Sequence, residues 1–250
     1  MNDAHEWIQR WDSQQERYIE RREERFTVIG DVLEEVCPPD AKILDLCCGP
    51  GSLGSRLAAR FPRAHVTGVD FDPVLLGLAR EVHAADPRRA WIETDLRRAA
   101  WYKEGQLSPG FDAVVSTTAL HWLSGAELTR VYRDLAGLLR RGGVFLNGDH
   151  IAPAPNEARL ARIGKARRNL VERDADLRGS ATWDGWWEEI AADPAFTALW
   201  QERRRRFGDR HGEEPITLAF HLAALRQAGF VEANVVWQRW DDVVMAALVA

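Results

Sequence analysis

Hydrophobic and polar positions change their period twice between residues 42 and 72. A short apolar run at residues 43–46 is followed by a loop that contains several glycines. Residues 52–61 then carry apolar side chains at helical intervals, and a second apolar run ends at Asp70. This pattern predicts a strand, a loop, a helix and a second strand, the unit that places a nucleotide at the carboxyl edge of a parallel sheet.

Apolar runs alternate with amphipathic segments through the first 150 residues and again at the end of the chain. The runs that predict further strands lie at residues 90–95, 111–118, 143–150, 230–238 and 242–249. Amphipathic segments predict helices between them, the last at residues 217–228. Alternation of this kind is typical of an α/β fold with a mostly parallel sheet.

Two segments depart from this alternation. Residues 1–36 carry aromatic and aliphatic side chains at helical intervals among many charges, which predicts one or two helices that cover the cofactor as a lid. Residues 153–214 hold a basic helical stretch and several tryptophans, and they predict a helical insertion that caps the ligand-binding edge of the sheet. The remaining segments, 37–152 and 215–250, are expected to form the core and to complete its sheet.

Composition and charge narrow the range of partners. The 250 residues carry a net charge of -5, which argues against a polyanionic partner such as nucleic acid. The three cysteines, two of them adjacent, argue against a disulfide framework and a zinc cluster, so we expect no metal. No apolar segment resembles a signal peptide or reaches the length of a membrane span. These features favour a cytoplasmic protein that acts on a small molecule, and they leave a homodimer open.

The glycine loop fits two classes of cofactor. Gly49, Gly51 and Gly54 match G-x-G-x-x-G, and Asp70 lies about twenty residues further on, as in proteins that bind a dinucleotide. Asp45, however, lies inside the end of the first strand, where its carboxylate would repel a pyrophosphate. The same carboxylate would attract the ammonium group of a methionine moiety, which favours S-adenosylmethionine (SAM).

Three segments make this preference specific. DLCCGPGSLG (45–54), GVDFDPVLLGLAR (68–80) and WIETDL (91–96) resemble motifs I, II and III of the class I SAM-dependent methyltransferases. The resemblance extends over roughly residues 1–150 and 215–250. It implies a Rossmann-like sheet of seven mostly parallel strands with an antiparallel last strand. Cys47 stands where the family usually has glycine, so we expect the first turn of the loop to be displaced or hindered.

The resemblance also implies how the cofactor is held. Asp70 would accept hydrogen bonds from both ribose hydroxyls, and Phe71 would lie against the adenine. Asp95 would accept from the adenine amino group, with the Leu96 N–H as donor to a ring nitrogen. Arg25 would meet the cofactor carboxylate from the amino-terminal segment, while each acid could instead be a helix cap. The residues expected to bind the cofactor are Asp45, Cys47, Gly49, Gly51, Asp70, Phe71, Asp95, Leu96 and Arg25.

The acceptor end of the site has less specific signals. The segment ALHWL (119–123) resembles methyltransferases of small molecules and carboxylates, such as the trans-aconitate type. His121 in this segment and His150 at the end of the fifth strand are the candidate catalytic bases, unless they serve packing alone. We favour His150, because Asp149 precedes it at the strand tip. The residues expected to contact the acceptor are Tyr18, Trp11, Asp149 and Trp186.

The sequence therefore predicts a SAM-dependent methyltransferase that acts on an oxygen, nitrogen or carbon atom of a small molecule, including natural products or carboxylates. Two alternatives stay open: an NAD-dependent oxidoreductase, and a SAM-binding protein that transfers no methyl group. No Asp-Pro-Pro-Tyr-like signature occurs, which argues against the enzymes that methylate exocyclic amines of nucleic acids.

Overall fold

One seven-stranded sheet forms the centre of the protein, whose structure is a computed structural model that describes residues 3–208 and 216–250. The strands are β1 Lys42–Leu46, β2 His65–Asp70, β3 Arg89–Glu93, β4 Phe111–Thr117, β5 Leu139–His150, β6 Phe230–Arg239 and β7 Asp242–Val249. Their order is β3-β2-β1-β4-β5-β7-β6. Strands β1 to β5 pair in parallel, and β7 is antiparallel to both of its neighbours. The predicted fold class is confirmed.

The order of the strands reverses between β1 and β4. Both strands are apolar and buried on both faces, as expected at the centre of a parallel sheet. Because the connections after β1 and β4 leave in opposite directions, a crevice opens between the carboxyl ends of these strands. This crevice is where the ligand site of such a sheet is expected.

Helices cover both faces of the sheet. They are α1 Ala4–Gln15, α2 Arg22–Val36, α3 Ser52–Arg60, α4 Pro73–Val82, α5 Trp101–Glu104, α6 Gly125–Leu138, α7 Ala158–Leu177, α8 Trp183–Ala192, α9 Thr197–Phe207 and α10 Leu218–Ala228. Helices α2 and α3 pack into one apolar core, and α6 and α10 pack into the other. Consecutive residues of a buried strand therefore face different helices.

Local sequence signals fix several helix ends. The Asp72 carboxylate accepts hydrogen bonds from the N–H groups of Val74 and Leu75 at the start of α4. Ser124 and Glu127 form a capping box at the start of α6. At the other end of α10, Gly229 ends this helix with a φ of 112°, a conformation that an L side chain rarely adopts.

The amino-terminal segment and the insertion share a third apolar core, which we call the tryptophan cluster. Its aromatic members are Trp7, Trp11, Trp183, Trp186, Trp187, Phe196 and Trp200. This cluster packs on α4 beside the glycine loop, so α1, α8 and α9 lie over the same end of the sheet. The proposed boundary between residues 214 and 215 falls outside the described residues. None of the helices in the described ranges is long and apolar enough to cross a bilayer.

Candidate cofactor and active site

A cavity of about 640 Å³ opens at the carboxyl ends of β1, β2 and β4. Its volume lies in the range of small-molecule sites. The wall combines the glycine loop, the ends of these strands, α1, and the α8 and α9 helices of the insertion. The crevice of the sheet is thus covered by α1, near the start of the chain, and by α8 and α9 of the insertion.

The glycine loop is held to β2 by one carboxylate. Asp70 accepts hydrogen bonds from the N–H groups of Gly49 (2.8 Å), Phe71 (2.7 Å) and Asp72 (2.8 Å). Burial nevertheless raises the pKa of Asp70 to about 6, and these hydrogen bonds offset only part of that effect. Asp70 therefore fixes the loop and faces the cavity as an acceptor.

The first turn of the loop is strained, in line with the hindrance expected of Cys47. This residue has a φ of 51°, in the left-handed region where an L side chain costs roughly 1–2 kcal/mol. Gly49 has a φ of 55°, and a Cβ atom there would meet only Leu75, at an ordinary contact distance of 3.9 Å. The backbone conformation, and not a lack of space, therefore favours glycine at this position. The loop therefore accommodates a cysteine at one left-handed position and a glycine at the other.

Gly51 has a role in packing that the sequence did not indicate. A Cβ atom at this position would lie 2.5 Å from the Trp91 ring, and φ is 83°. The indole closes the space beside the loop, and Gly51 is not part of the cavity wall as described. Its expected contact with the cofactor is replaced by a contact with Trp91.

Asp45 is the most buried acid of the cavity wall. Its side chain accepts a hydrogen bond from the Gly54 N–H at 3.1 Å, and the residue is 1% exposed. Burial raises the pKa of Asp45 to about 8, with a smaller contribution from the charge of Asp70. A cation beside Asp45 would restore its charge, so this end of the cavity favours a positively charged group.

The opposite end of the cavity is lined by Phe71, Asp95 and Leu96. Asp95 accepts two hydrogen bonds from Arg97, at 2.8 and 2.6 Å. The guanidinium groups of Arg97 and Arg206 lie 5.2 and 5.1 Å from the centre of the Phe71 ring. This end therefore presents an aromatic surface beside a carboxylate.

Arg22, and not Arg25, reaches the cavity from α2. Arg22 lines the cavity and donates a hydrogen bond to Asp12 at 2.8 Å. Arg25 is fully buried beneath it, paired with Asp242 and donating to Thr118 (2.6 Å) and to the Gly148 carbonyl (3.1 Å). The two arginines lie three residues apart on one helix, and only their packing distinguishes them.

The tryptophan cluster contributes a different set of side chains from the one expected. Trp11, Trp183 and Trp187 line the cavity. Trp186 has no exposed surface and packs inside the cluster, so it cannot contact an acceptor. Tyr18 lies outside the cavity wall, where its hydroxyl accepts a hydrogen bond from the Trp183 N–H at 3.0 Å. The sequence did not indicate which tryptophans of α8 face the cavity, because Trp183, Trp186 and Trp187 share the same helical spacing.

Asp149 pairs with the imidazole of His121, whereas its neighbour His150 contacts it through the backbone N–H, which donates a hydrogen bond at 2.9 Å. Its carboxylate lies 2.7 Å from His121 Nδ1 and accepts from the His121 N–H at 3.2 Å. Burial raises the pKa of Asp149, but the interaction with His121 outweighs it and holds the pKa below its usual value. Residues Trp122 and Leu123 beside His121 line the cavity, whereas His121 and Asp149 are not among the described lining residues, so the pair adjoins the wall without forming part of it.

His150 lies on the other face of β5, because consecutive side chains of a strand point in opposite directions. It is close to Arg25 and lies 3.9 Å from Asp241. Burial, reinforced by Arg25, lowers its pKa to about 4, which keeps the ring neutral. We expected Asp149 to form an acid and imidazole pair with His150. Asp149 instead forms this pair with His121, in the loop after β4. The sequence could have indicated that Asp149 and His150 point to opposite faces of the sheet, because they are consecutive residues of a predicted strand.

Comparisons with known proteins agree with this geometry. Residues 43–143 match the family model described as a methyltransferase domain. The trans-aconitate 2-methyltransferase of Azoarcus sp. (strain BH72) is 34% identical over 136 residues, which cover 54% of this chain and 49% of that protein. The enzyme of the same name from Methylobacterium radiotolerans is 36% identical over 180 residues, 71% of this chain and 58% of that protein. The chain spans about half the length of these curated relatives.

Solved structures show the same fold. A TehB-like SAM-dependent methyltransferase from Corynebacterium glutamicum superposes with a TM-score of 0.55 and 16% identity, covering 98% of this chain and 97% of that one. At this identity the likeness concerns the fold alone.

Proposed function

This chain belongs to the class I SAM-dependent methyltransferases, and we propose that it transfers the methyl group of SAM to a small-molecule acceptor. The observation that carries the proposal is the pair of carboxylates Asp45 and Asp70 in one cavity, the first buried and the second half-buried, both with raised pKa values. The raised pKa values indicate that no positive charge of the protein balances these two acids. Such acids suit a ligand that brings a cation and hydroxyl donors.

The residues of the cavity wall fit SAM along its whole length. Asp45 would hold the ammonium group and Arg22 the carboxylate, since both line the cavity and both are tied to the start of α3, Asp45 through Gly54 and Arg22 through Asp12 and Ser52. Asp70 would accept from the ribose hydroxyls. Phe71 and the Asp95 carboxylate would hold the adenine. SAM supplies an activated methyl group on sulfur, so the protein has to align the acceptor and exclude water.

The His121 and Asp149 pair is the proposed proton acceptor of the site. Asp149 accepts from Nδ1 of His121, which leaves Nε2 as the basic nitrogen. The buried carboxylate would stabilise the ring after it gains a proton, as a positioning residue. His150 is neutral and faces away, so it is given no catalytic role.

The two alternatives fit less well. A dinucleotide would place its pyrophosphate against the loop that Asp45 underlies, and this carboxylate would repel it. A SAM-binding protein without turnover would have no use for an oriented imidazole at the edge of the cavity.

The first experiment compares SAM binding by Asp70→Ala and by the control Glu35→Ala, which alters an exposed acid of α2. Asp70→Ala should lose about 30-fold to 1000-fold in affinity by titration calorimetry, and the control should bind normally. Unchanged binding by Asp70→Ala, or tighter binding of NAD than of SAM, would overturn the cofactor assignment. Formation of S-adenosylhomocysteine with an acceptor then separates an enzyme from a binding protein.

We also propose that residues 1–36 act as a lid and residues 153–214 as a cap, because α1, α8 and α9 roof the cavity. Hydrogen exchange of residues 4–15 should slow on addition of SAM. Identical exchange with and without SAM would contradict a lid.

The proposal includes a cytoplasmic location, supported by the three free cysteines, and no nucleic-acid partner. Retention of the protein on immobilised DNA at physiological salt would contradict the latter.

A further inference from the structure

We infer that the acceptor is an uncharged molecule with an aromatic or apolar body, and that the atom methylated is the oxygen of one of its hydroxyl groups. This inference rests on the proposed function and specifies its substrate. In the reaction, the hydroxyl proton moves to Nε2 of His121, the oxygen forms a bond to the methyl carbon, and the carbon–sulfur bond of SAM breaks. The products are the methyl ether, S-adenosylhomocysteine and a proton that the imidazole later releases.

The charges of the cavity wall disfavour an anionic acceptor. Each arginine of the described wall is already paired with an aspartate: Arg22 with Asp12 at 2.8 Å, Arg97 with Asp95 at 2.6 Å and Arg203 with Asp72 at 2.6 Å. A di- or tricarboxylate would have to share two or three guanidinium groups with these aspartates at once. Arg22 is in addition the proposed partner of the carboxylate of SAM.

The acids of the same wall outnumber its bases. The aspartates that line the described part of the cavity are Asp45, Asp70, Asp72, Asp95 and Asp184, against the three arginines named above. Because burial raises the pKa of Asp45 to about 8, four of these acids carry charge near neutral pH, and the wall therefore offers an anion no excess of positive charge.

Aromatic side chains supply the surface that a neutral acceptor needs. Trp11, Trp183 and Trp187 line the cavity below the insertion. Trp122 lines it beside His121, with their ring centres 5.2 Å apart, and is 54% exposed. An exposed indole at the rim of a cavity is typical of a ligand-binding surface. An aromatic ring packed on Trp122 would bring its substituents close to His121.

The histidine pair points to a hydroxyl and away from a carboxylate. A carboxylic acid is ionised near neutral pH and needs no base before it accepts a methyl group. A phenol has a pKa of about 10 and does need one. Asp149 is 1% exposed, and a buried carboxylate that orients an imidazole is suited to proton uptake. The name of the relatives specifies trans-aconitate, a tricarboxylate, so the inference separates this chain from them.

The test measures release of S-adenosylhomocysteine from the full chain with two sets of acceptors. One set consists of uncharged phenols with one to three fused rings, and the other of di- and tricarboxylates that include trans-aconitate. We expect at least tenfold higher kcat/KM with the best phenol. Trp122→Ala should raise KM for that phenol about tenfold and leave the Kd for SAM unchanged. Trp240, which is 48% exposed and does not line the described cavity, provides the matched control Trp240→Ala.

The outcomes separate the inference from the proposed function. Faster turnover of a carboxylate overturns the inference and retains the methyltransferase. Failure of the wild-type chain to bind SAM overturns the proposed function itself. If neither set is methylated, quenching of tryptophan fluorescence with S-adenosylhomocysteine present decides. Tighter binding of the carboxylates, or binding of neither set, overturns the inference.

A second inference concerns the exposed face of α7. Ile163, Leu170 and Leu177 recur every seven residues and are 47%, 46% and 87% exposed, so they form one apolar stripe. The helix faces the protein body through small residues, of which Gly164 and Ala175 are buried. We propose that the stripe packs against the same stripe of a second copy of this chain, with the two helices antiparallel.

The charges of α7 favour this occupant and this orientation. The first half is basic, with Arg159, Arg162, Lys165, Arg167 and Arg168, and the second half holds the acids Glu172, Asp174 and Asp176 with one base, Arg173. Antiparallel pairing about Leu170 places Arg167 next to Asp174 of the partner subunit, whereas Asp176 is already paired with Arg17 of its own chain. Parallel pairing would place like charges together.

Sedimentation equilibrium of the full chain tests the association. We expect a dimer that Leu170→Arg converts to a monomer, while Val231→Arg, a control at an exposed position of β6, remains dimeric. The variants Arg167→Glu and Asp174→Arg should each dimerise at least tenfold more weakly and recover affinity when mixed. A monomeric wild type, or a dimer unaffected by Leu170→Arg, would overturn the proposal.

Discussion

Nδ1 of His121 lies 2.7 Å from a carboxylate oxygen of Asp149, which joins the loop after β4 to the carboxyl end of β5. Both elements lie on the β4 side of the point where the sheet order reverses, at the carboxyl edge where ligands of such sheets bind. The contact orients the imidazole by a buried acid and makes His121 the candidate base of the site.

Replacement of this base should affect turnover more than cofactor binding. His121→Ala should lower kcat roughly a hundredfold or more while the Kd for SAM stays within about twofold. Asp149→Asn should also lower kcat, because the orienting carboxylate is lost. The measurement is single-turnover release of S-adenosylhomocysteine, with the exposed His65→Ala as control. Loss of rate in His150→Ala but not in His121→Ala would reverse the assignment.

Asp45→Asn should make the protein without ligand more stable and unable to bind SAM. The pKa of Asp45 is about 8 in the folded chain and near 3.9 when unfolded, so ionisation of this acid opposes folding. Its contribution to the free energy of unfolding falls as pH rises from about 4 to about 8. An uncharged amide that still accepts from Gly54 should therefore add about 2 kcal/mol at pH 8. Chemical denaturation measures this, and a less stable variant would contradict it.

Binding of SAM should release protons below pH 8. Asp45 and Asp70 have pKa values of about 8 and about 6 without ligand, and both should be charged in the complex. Affinity should therefore fall as pH drops from about 7.5 to about 5.5, and each unit should cost up to tenfold per proton released. Calorimetry in buffers of different ionisation enthalpy counts the protons. Asp45→Asn should remove the release near pH 7, and proton uptake there would contradict the assignment.

Replacement of Arg22 should affect SAM binding, whereas replacement of Arg25 should affect the stability of the fold. Arg22→Ala should weaken SAM binding about tenfold or more, because the proposed partner of the cofactor carboxylate is lost. Its partner Asp12 keeps Arg56 (3.1 Å) and Ser52 (2.6 Å), so the fold should tolerate the change. Arg25→Ala leaves Asp242 buried without its ion pair and should cost about 3–5 kcal/mol of stability. Equal effects of both variants on SAM binding would contradict this division.

Two substitutions in the glycine loop should have opposite effects on stability. Cys47→Gly relieves a left-handed side chain and should raise the free energy of unfolding by about 0.5 kcal/mol. Cys47→Ala keeps that strain and serves as control. Gly51→Ala should lower stability by about 2–3 kcal/mol, because its Cβ meets the Trp91 ring. A stable Gly51→Ala protein would mean that the Trp91 contact is not tight.

The sequence by itself determined the sheet and the cofactor end of the cavity. Strand and helix periods, glycine positions and caps are local properties, so the unit from β1 to β2 and the acids Asp45 and Asp70 were placed without tertiary information. The strand pair β6 and β7 was likewise predicted to within one residue. These features depend on neighbours close in the chain.

Tertiary structure alone decided the side chains that complete the site. Arg22 and Arg25 are one helical turn apart, and the packing of α2 on the sheet sends one to the cavity and the other to Asp242. Trp187 faces the cavity and Trp186 the cluster for the same reason. The contact of His121 with Asp149 spans 28 residues and depends on the pairing of β4 with β5. Each choice follows from distant surfaces that meet only after the chain has folded, which no local period encodes.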